Sequence, residues 1–568
     1  NHPELIDDFL SSELDQNAIL NCRKVTCPSC LAKTPLLNTF WLSKEAKDQW
    51  GVNIVTQGTG TSASYSFETY QAKNGKGPRG EDPSLGTIKK AIGQCVHCKQ
   101  AIDGDEIKAQ ACGESELGSW EDEIYAVAAT RLQPKLDKNG NPQYFSTGAK
   151  KGQIKKEKIK FFRPPTQLDH DAISKASEYL KKEWSRFEKQ DLIPTEKFPQ
   201  GNDMRPARYG MLYWYQLYND RQLLGHLIAM ESLKHLKPVI LEKLGDDRGR
   251  AVVTYLQFAI DKATDYSSKQ TMWHAARGVI AHAFSRHDFS LKWTYGELAM
   301  SGPHSGLKWA MGNVNKAYNQ LAKLTSGIHP NFDKGNKEQQ LKIINGSGVH
   351  IEGVQDNSVD LVCMDPPYYD NVQYAELSDY FYVWQKRILK DLYPEINWPR
   401  LTNKREEAVA NPVRDGSVKK AKAEYEELMK EIFSESRRVI KNEGLMTLMF
   451  THKAQDAWET LVRSIVQSGW VITSTAPVES EGKKGLHQKD LAAAASTIFI
   501  TCRKRKIENQ QVTFWSGLGG SGVQHQIRSA VEAGLDEFRP LKLNAVDQMI
   551  ACYGRALQVL SENWPVMD

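Results

Sequence analysis

The segment that most constrains this chain is Val359-Asp360-Leu361-Val362-Cys363-Met364, an apolar run that stops at Asp365-Pro366-Pro367-Tyr368 and leads into an aromatic-rich stretch. That context predicts a buried strand ending in a loop. Two consecutive prolines remove two amide donors and fix the backbone, so the Asp365 carboxylate and a proline carbonyl project rigidly from the strand end. Other segments agree with a sheet. Leu341 to Ser347 predicts a strand closing on a small-residue turn, and Gly444 to Phe450 another buried strand. Glu424 to Val439 and about Gln455 to Gln467 have helical character. Trp470 to Ser474 and Ser496 to Cys502 predict two more strands, joined by a polar excursion. Strands alternating with helices predict an open, mostly parallel α/β sheet, whose ligands sit beyond the carboxyl ends of the strands.

The Asp-Pro-Pro-Tyr corner is an acceptor site. A nucleobase exocyclic amine donates two hydrogen bonds, which Asp365 and the Pro366 carbonyl can accept, localising the nitrogen lone pair for attack on a methyl group. Pro367 fixes the turn. Tyr368 offers a flat face for an extruded base, an interaction of roughly 1–3 kcal/mol per base. The bland alternative is an ordinary strand-to-loop turn.

The longer run from Asp365 through Tyr369, Asn371, Tyr374, Glu376 and Tyr380 to Trp384 resembles the signature of adenine-specific DNA methylases that carry a zinc-ribbon module. Further pieces agree: Arg208-Tyr209-Gly210-Met211, Arg221-Gln222-Leu223-Leu224, Trp293 to Glu297, Phe450-Thr451-His452-Lys453, and Cys27-Pro28-Ser29-Cys30 before Phe40-Trp41-Leu42-Ser43. The resemblance implies a Rossmann-like methyltransferase sheet with zinc-ribbon and helical insertions. It also implies transfer of a methyl group from S-adenosylmethionine to adenine N6 in DNA, as part of a restriction-modification or antiviral defence system. Tyr369, Asn371 and Tyr374 are expected to line the base pocket, with Gly346, Ser347 and Asp365 on the cofactor side. No cysteine nucleophile is required, and Cys363, inside the strand, reads as a core residue.

A complete enzyme of this kind needs a strand running into a glycine-rich turn and a second strand ending in an acid. Neither precedes Leu341. The chain opens on Asn1 and reaches Cys27 almost at once, so the cofactor half is expected to be removed, encoded on a separate subunit or outside the chain given. A rival is the run Phe514 to Gly522, after Gln511-Val512-Thr513, which would serve as the cofactor loop of a circularly permuted methylase. The following Leu535 to Pro540 makes no second strand ending in an acid, which favours a flexible loop.

Nine cysteines and no signal peptide argue for a reduced, cytoplasmic compartment. Cys27-x-x-Cys30 and Cys95-x-x-Cys98 can present four thiolates to structural Zn2+, with Cys22, Cys112 or His97 as substitute ligands. The stretch between the arms, with Gly58 to Thr61 and Asn74 to Gly80, reads as a mobile loop. A redox role is disfavoured, because no thioredoxin-like unit surrounds either pair.

A chain of 568 residues needs more than one core. The expected division is a zinc-ribbon module over 1–125, a basic linker or strand segment over 126–168, a helical insertion over 169–330, the catalytic sheet over 335–506 and a C-terminal helical segment over 507–568. With a formal charge of +5 and 25% charged residues, nucleic-acid binding must come from local patches. One is Lys150, Lys151, Lys155, Lys156, Lys158, Lys160 and Arg163; another is Arg503-Lys504-Arg505-Lys506. Each is read as phosphate-binding or as a solvated edge. His274, Arg277, His282, Arg286 and His287 read as the polar face of one helix. No apolar run reaches membrane-spanning length.

The expected function is therefore base-flipping DNA adenine methylation, with DNA and other defence subunits as partners. The alternative is a non-catalytic DNA-binding or scaffold subunit of a multi-protein defence assembly. Methylation of RNA or of a protein glutamine amide would use the same corner.

Overall fold

The computed structural model describes residues 16–199, 205–302, 305–328, 342–452, 454–479, 496–505, 513–517, 522–541 and 545–567. The protein is a mixed α/β chain of several separate sheets, divided into two compact units: Asn1–Gly335 with Glu376–Thr402, and Asn336–Ala375 with Asn403–Asp568.

The first unit begins with β1 (Gln16–Thr26) and β2 (Lys33–Leu36), followed by the antiparallel meander β3 (Trp41–Glu45), β4 (Asp48–Gln57) and β5 (Ser64–Ala72). The stretch expected to be a mobile loop between the cysteine pairs is thus built largely as a three-stranded sheet. Gly58 and Gly60 take positive φ in the turn between β4 and β5. A small sheet of β6 (Ile88–Lys89), β7 (Ile92–Gln94) and β8 (Ala101–Ile102) carries the second cysteine pair. Helix α1 (Gly104–Cys112) follows, started by the Asp103 side chain accepting from the Asp105 amide and ended by Gly113 in the left-handed region.

The long strands β9 (Glu121–Pro134) and β10 (Lys156–Arg163) pair antiparallel, and β1 lies between β9 and β13 (Thr294–Leu298). Among the described strands β10 is therefore an edge, where lysines blunt unwanted pairing. Helices α2 (Gln167–Lys189), α3 (Asp220–Leu244), α4 (Asp246–Tyr266) and α5 (Gly306–Ile328) supply the helical part expected in this region. The Asn219 side chain caps α3 in a capping box with Gln222. Helix α6 (Tyr374–Leu389) belongs to this unit from Glu376 onward. Its Tyr380, Val383, Trp384 and Ile388 are buried with Phe187, Trp214, Leu224 and Leu227.

The stretch from His274 to His287 is not a helix. It forms the hairpin β11 (Met272–His274) and β12 (Val279–Ala281), followed by a short 3-10 turn. Gly278 takes a φ of +55° at the hairpin turn, which breaks any helical register. The polar residues of this stretch fall mainly at the end of β11 and in the turns on either side of β12, where they imitate a helical face.

The second unit holds a four-stranded sheet of order β14-β15-β17-β16, from β14 (Val359–Met364), β15 (Ile440–Phe450), β16 (Trp470–Glu479) and β17 (Ser496–Lys504). Only β14 and β15 pair in parallel. β17 is inserted antiparallel between β15 and β16, so the sheet is mixed rather than held mainly by parallel ladders. Alternating apolar runs do not encode which strand is inserted where. Helix α7 (Pro412–Asp415) precedes α8 (Val418–Val439), whose Ala421, Tyr425, Met429 and Phe433 repeat at a spacing of four and pack with α9 (Gln455–Gln467) on Met446, Leu448 and Phe450. β14 is an edge among the described strands, so the strand expected to be buried is not: Leu361 is 53% exposed, and Cys363, expected in the core, is exposed as well.

Leu341 lies outside the described residues, and Lys342 to Ser347 form no strand; no ladder partner takes up their backbone groups, and Ile343 is exposed. The glycine-rich run falls partly outside the described residues. The strand before it, β18 (Thr513–Phe514), pairs with β19 (Val566–Met567) and does not join the four-stranded sheet, which removes support from the permuted reading. Helices α10 (Val523–Phe538) and α11 (Ala545–Glu562) fill the C-terminal segment. Among the described residues, no helix is long and apolar enough to cross a membrane.

Candidate functional site

β14 ends at Met364, so Asp365-Pro366-Pro367-Tyr368 leaves the carboxyl end of a strand paired in parallel with β15. Asp365 is exposed and Pro366 buried. The Pro367 carbonyl is already occupied: it accepts from the Tyr425 hydroxyl at 3.0 Å and from the Tyr369 amide at 3.0 Å. The Pro366 carbonyl accepts no hydrogen bond among the described residues, which leaves it and Asp365 as the acceptor pair of the corner. Tyr369 follows at φ +58°, a conformation costly for a non-glycine residue. Its buried ring is held edge-on between Tyr425 and His452, and its carbonyl accepts from the Ala410 amide at 3.0 Å.

The Tyr368 ring packs edge-on against Phe450 at 5.5 Å. Burial first, then hydrogen bonding and charge from the Asp365 carboxylate, push its phenol well above the ordinary range. The Tyr368 phenol thus lies near the Asp365 carboxylate, whose roughly four lone-pair positions can receive an incoming amine. Tyr374 is 51% exposed, and its phenol is also raised, by burial and then by the Asp365 and Glu407 carboxylates. Asp365, Tyr368 and Tyr374 therefore share one neighbourhood. Asn371 is exposed and its amide donates to the Tyr368 carbonyl at 3.1 Å. Gly346 is exposed and Ser347 half-buried, and no hydrogen bond among the described residues joins either to Asp365.

A buried strap that the sequence reading did not single out holds the corner. Ala408, Val409, Ala410 and Asn411 are buried; Asn411 Nδ2 donates to Gln373 Oε1 at 2.8 Å, and Glu407 accepts from the Ala375 amide at 2.7 Å. Arg414 ties the strap together through Glu407 and the Lys404 and Val409 carbonyls. Asn411-Pro412 is a helix-start signal that could have marked it. His452, from the fragment after β15, is buried; its Nε2 meets Asp370 at 3.1 Å and its Nδ1 accepts from the Ala454 amide at 3.0 Å, so the proton sits on Nε2. Lys453 lies outside the described residues.

In the first unit the two cysteine pairs converge. The thiol sulfurs of Cys27, Cys30, Cys95 and Cys98 all lie within 4.8 Å of one another, with Cys27 to Cys98 at 3.8 Å and Cys30 to Cys95 at 3.6 Å. A tetrahedron with Zn–S bonds of 2.3 Å has edges of about 3.8 Å, so the four sulfurs could hold a zinc ion with no open position. Both arms use the same turn. Leu31 and Lys99 take positive φ, and their amides donate to the Cys27 and Cys95 carbonyls at 2.8 and 3.1 Å. Burial raises the Cys27 thiol to about 12. At Cys95 burial also pushes upward, but the Thr34 hydroxyl, the Cys98 and His97 amides and Cys30 outweigh it and hold the thiol near 6. Cys22, Cys112 and His97 are not part of the four-sulfur group.

The basic runs are largely engaged internally. Arg163 forms a bidentate pair with Asp169 at 2.6 and 3.0 Å, and Lys160 reaches Glu45 and the Gly278 carbonyl. Lys150 and Lys155 lie over the Phe145 ring. Arg503 and Arg505 donate to the Glu443, Trp470 and Ser561 carbonyls, and Lys504 donates to Asn357; Lys506 is outside the described residues. Two separate fragments of the resemblance meet: Arg221 pairs with Glu297 at 2.5 and 3.1 Å, both side chains buried. The long signature divides, its start forming the corner and its Tyr380 and Trp384 filling a core of the first unit. No family model, curated protein or solved structure matches this chain.

Proposed function

We propose that the second unit is the amine-binding half of a DNA adenine-N6 methyltransferase. The observation that carries the reading is the acceptor pair of Asp365 and the Pro366 carbonyl at the carboxyl end of β14, beside two tyrosines. Asp365 accepts one amine hydrogen and the Pro366 carbonyl the other, which directs the nitrogen lone pair outward. The Tyr425 bond to Pro367 and the strap hold that peptide in place. The Tyr368 phenol lies near Asp365, and Tyr374 offers the more exposed ring to an extruded base.

S-adenosylmethionine is the methyl donor this reading requires. The residues expected on its side do not form a cradle for it. Gly346 has open space around it, and the Ser347 hydroxyl is used by the Val349 amide of its own turn. The chain's own contribution therefore lies on the acceptor side, and the donor site is supplied by other residues or another chain. The open Gly346 turn also favours a second reading, a DNA-binding or scaffold subunit of a defence assembly that transfers nothing.

Two measurements decide between them. Calorimetry reports whether S-adenosylmethionine binds, and labelled-methyl incorporation compares DNA, RNA and protein as acceptors. Label in DNA adenine that falls at least a hundredfold in Asp365→Ala, at unchanged melting temperature, is the expected result. Undiminished incorporation by that variant sinks the reading. DNA binding with steep salt dependence and no incorporation with any cofactor supports the second.

A further inference from the structure

The first unit contains a cavity of about 650 Å³ that the proposed transfer chemistry does not use. Its size lies in the range of small-molecule sites. Helix α1 contributes Lys108, and the 3-10 turn Arg205–Tyr209 contributes Arg208 and Tyr209. Arg286, Lys292 and Trp293 come from the segment after the β11–β12 hairpin. The turn is brought against α1 by Gly210 at φ +77°, where a Cβ would come within 2.7 Å of the Ala111 carbonyl. That close approach explains why glycine follows Arg208-Tyr209.

The charge here is one-sided. Asp288 lies 3.3 Å from Arg286 and 3.9 Å from Arg205. Among the described residues no carboxylate pairs with Lys108, Arg208 or Lys292. Lys292 is 6% exposed, and its ammonium donates to the Ser290 hydroxyl. A lysine buried beside two guanidinium groups without its own carboxylate is costly unless an anion joins it. Burial first, eased by Asp288 and reinforced by Arg286 and Arg205, lowers its ammonium to about 8. The walls are aromatic: Tyr209 stacks on Trp120 at 6.0 Å and meets Trp293 edge-on at 5.9 Å.

Cations for phosphate and flat rings for a base, in one recess, are the components of single-strand and nucleotide recognition. We propose that this cavity binds a nucleotide unit, its base against Tyr209 and Trp293 and its phosphate on Lys108, Arg208 and Lys292. The unit comes from a single-stranded nucleic acid or from a free nucleoside polyphosphate. The site is separate from the Asp365 corner and does not depend on methyl transfer.

The test is fluorescence anisotropy with a labelled oligothymidylate, with adenosine triphosphate as competitor, on the full chain carrying Asp365→Ala so that the transfer reading does not enter. Removing the exposed cations in Lys108→Ala/Arg208→Ala should weaken binding roughly tenfold or more and reduce the log–log salt slope by about 1.4, for two phosphate contacts on a single strand. Lys292→Met, which keeps the apolar stem, should weaken it similarly. Competition by the triphosphate that the double variant abolishes identifies the free nucleotide; oligonucleotide binding without competition identifies a strand. No binding of either probe, or a folded double variant with wild-type affinity and slope, overturns the proposal.

Discussion

The Tyr425 hydroxyl donates a 3.0 Å hydrogen bond to the Pro367 carbonyl, tying the Asp-Pro-Pro-Tyr corner to helix α8. One ring oxygen thus fixes the orientation of a peptide adjoining the acceptor pair. Tyr425→Phe keeps the ring that packs on Tyr369 and deletes only that bond. It should cost about 1 kcal/mol in chemical denaturation and lower methyl incorporation severalfold, with DNA affinity unchanged. Wild-type turnover in a folded variant would show that the corner needs no such tether.

The four-sulfur group anchors a small core of Val25, Leu36, Ile88, Ile102 and Ile107. Purified protein should contain one equivalent of zinc by atomic absorption. Cys30→Ser or exhaustive chelation should remove it and lower the melting temperature by on the order of 10 °C. Cys112→Ser, outside the group, should retain the metal. Full zinc content in Cys30→Ser would rule out the tetrad.

Arg221 and Glu297 form a buried pair that Asn219 also joins, donating to Glu297 at 3.1 Å. Arg221→Ala leaves a buried carboxylate without its cation and should destabilise the protein by roughly 3–5 kcal/mol. Arg221→Met/Glu297→Leu should recover part of that loss, the remainder reflecting the buried Asn21 amide, which loses Glu297 as acceptor, whereas the Asn219 amide keeps the Tyr295 hydroxyl. Purely additive single and double variants would show that the two residues are not coupled.

Asp261 is buried between Gln257 and Gln385, whose side-chain amides donate to it at 2.9 and 2.7 Å. Burial nevertheless raises its carboxyl to about 7. A raised acid binds its proton more tightly in the folded state, so its contribution falls as pH rises from roughly 4, the unfolded value, to about 7, and the penalty is complete above that. Asp261→Asn, with the Gln257 amide turned so that its unpartnered Oε1 accepts, should raise the melting temperature at pH 8 and leave it nearly unchanged near pH 4. Parallel melting curves across pH for both proteins would contradict the assignment.

What was legible in the sequence was what short-range pattern encodes. Val359–Met364 is a strand because an apolar run meets two prolines, and Gln455–Gln467 is a helix because its apolar spacing is helical. The cysteine pairs announced their convergence by spacing alone. Placement over long range was not legible. Nothing local says that β17 inserts antiparallel between β15 and β16, or that Ala408 to Asn411 straps the corner. The stretch from His274 to His287 misled because residues in short strands and turns can imitate a polar helix face until Gly278 reverses the chain.

β1 is among the first strands described, yet Ala18 pairs with Leu298 on β13. A ribosome adding about 5–20 residues per second needs on the order of tens of seconds to deliver that partner. Through that interval the nascent chain carries Ile19 and Leu20, fully enclosed in the finished protein, without their final neighbour. Translation halted before Thr294 leaves β1 with an open edge, so the β1 ladder closes only once β13 has been made.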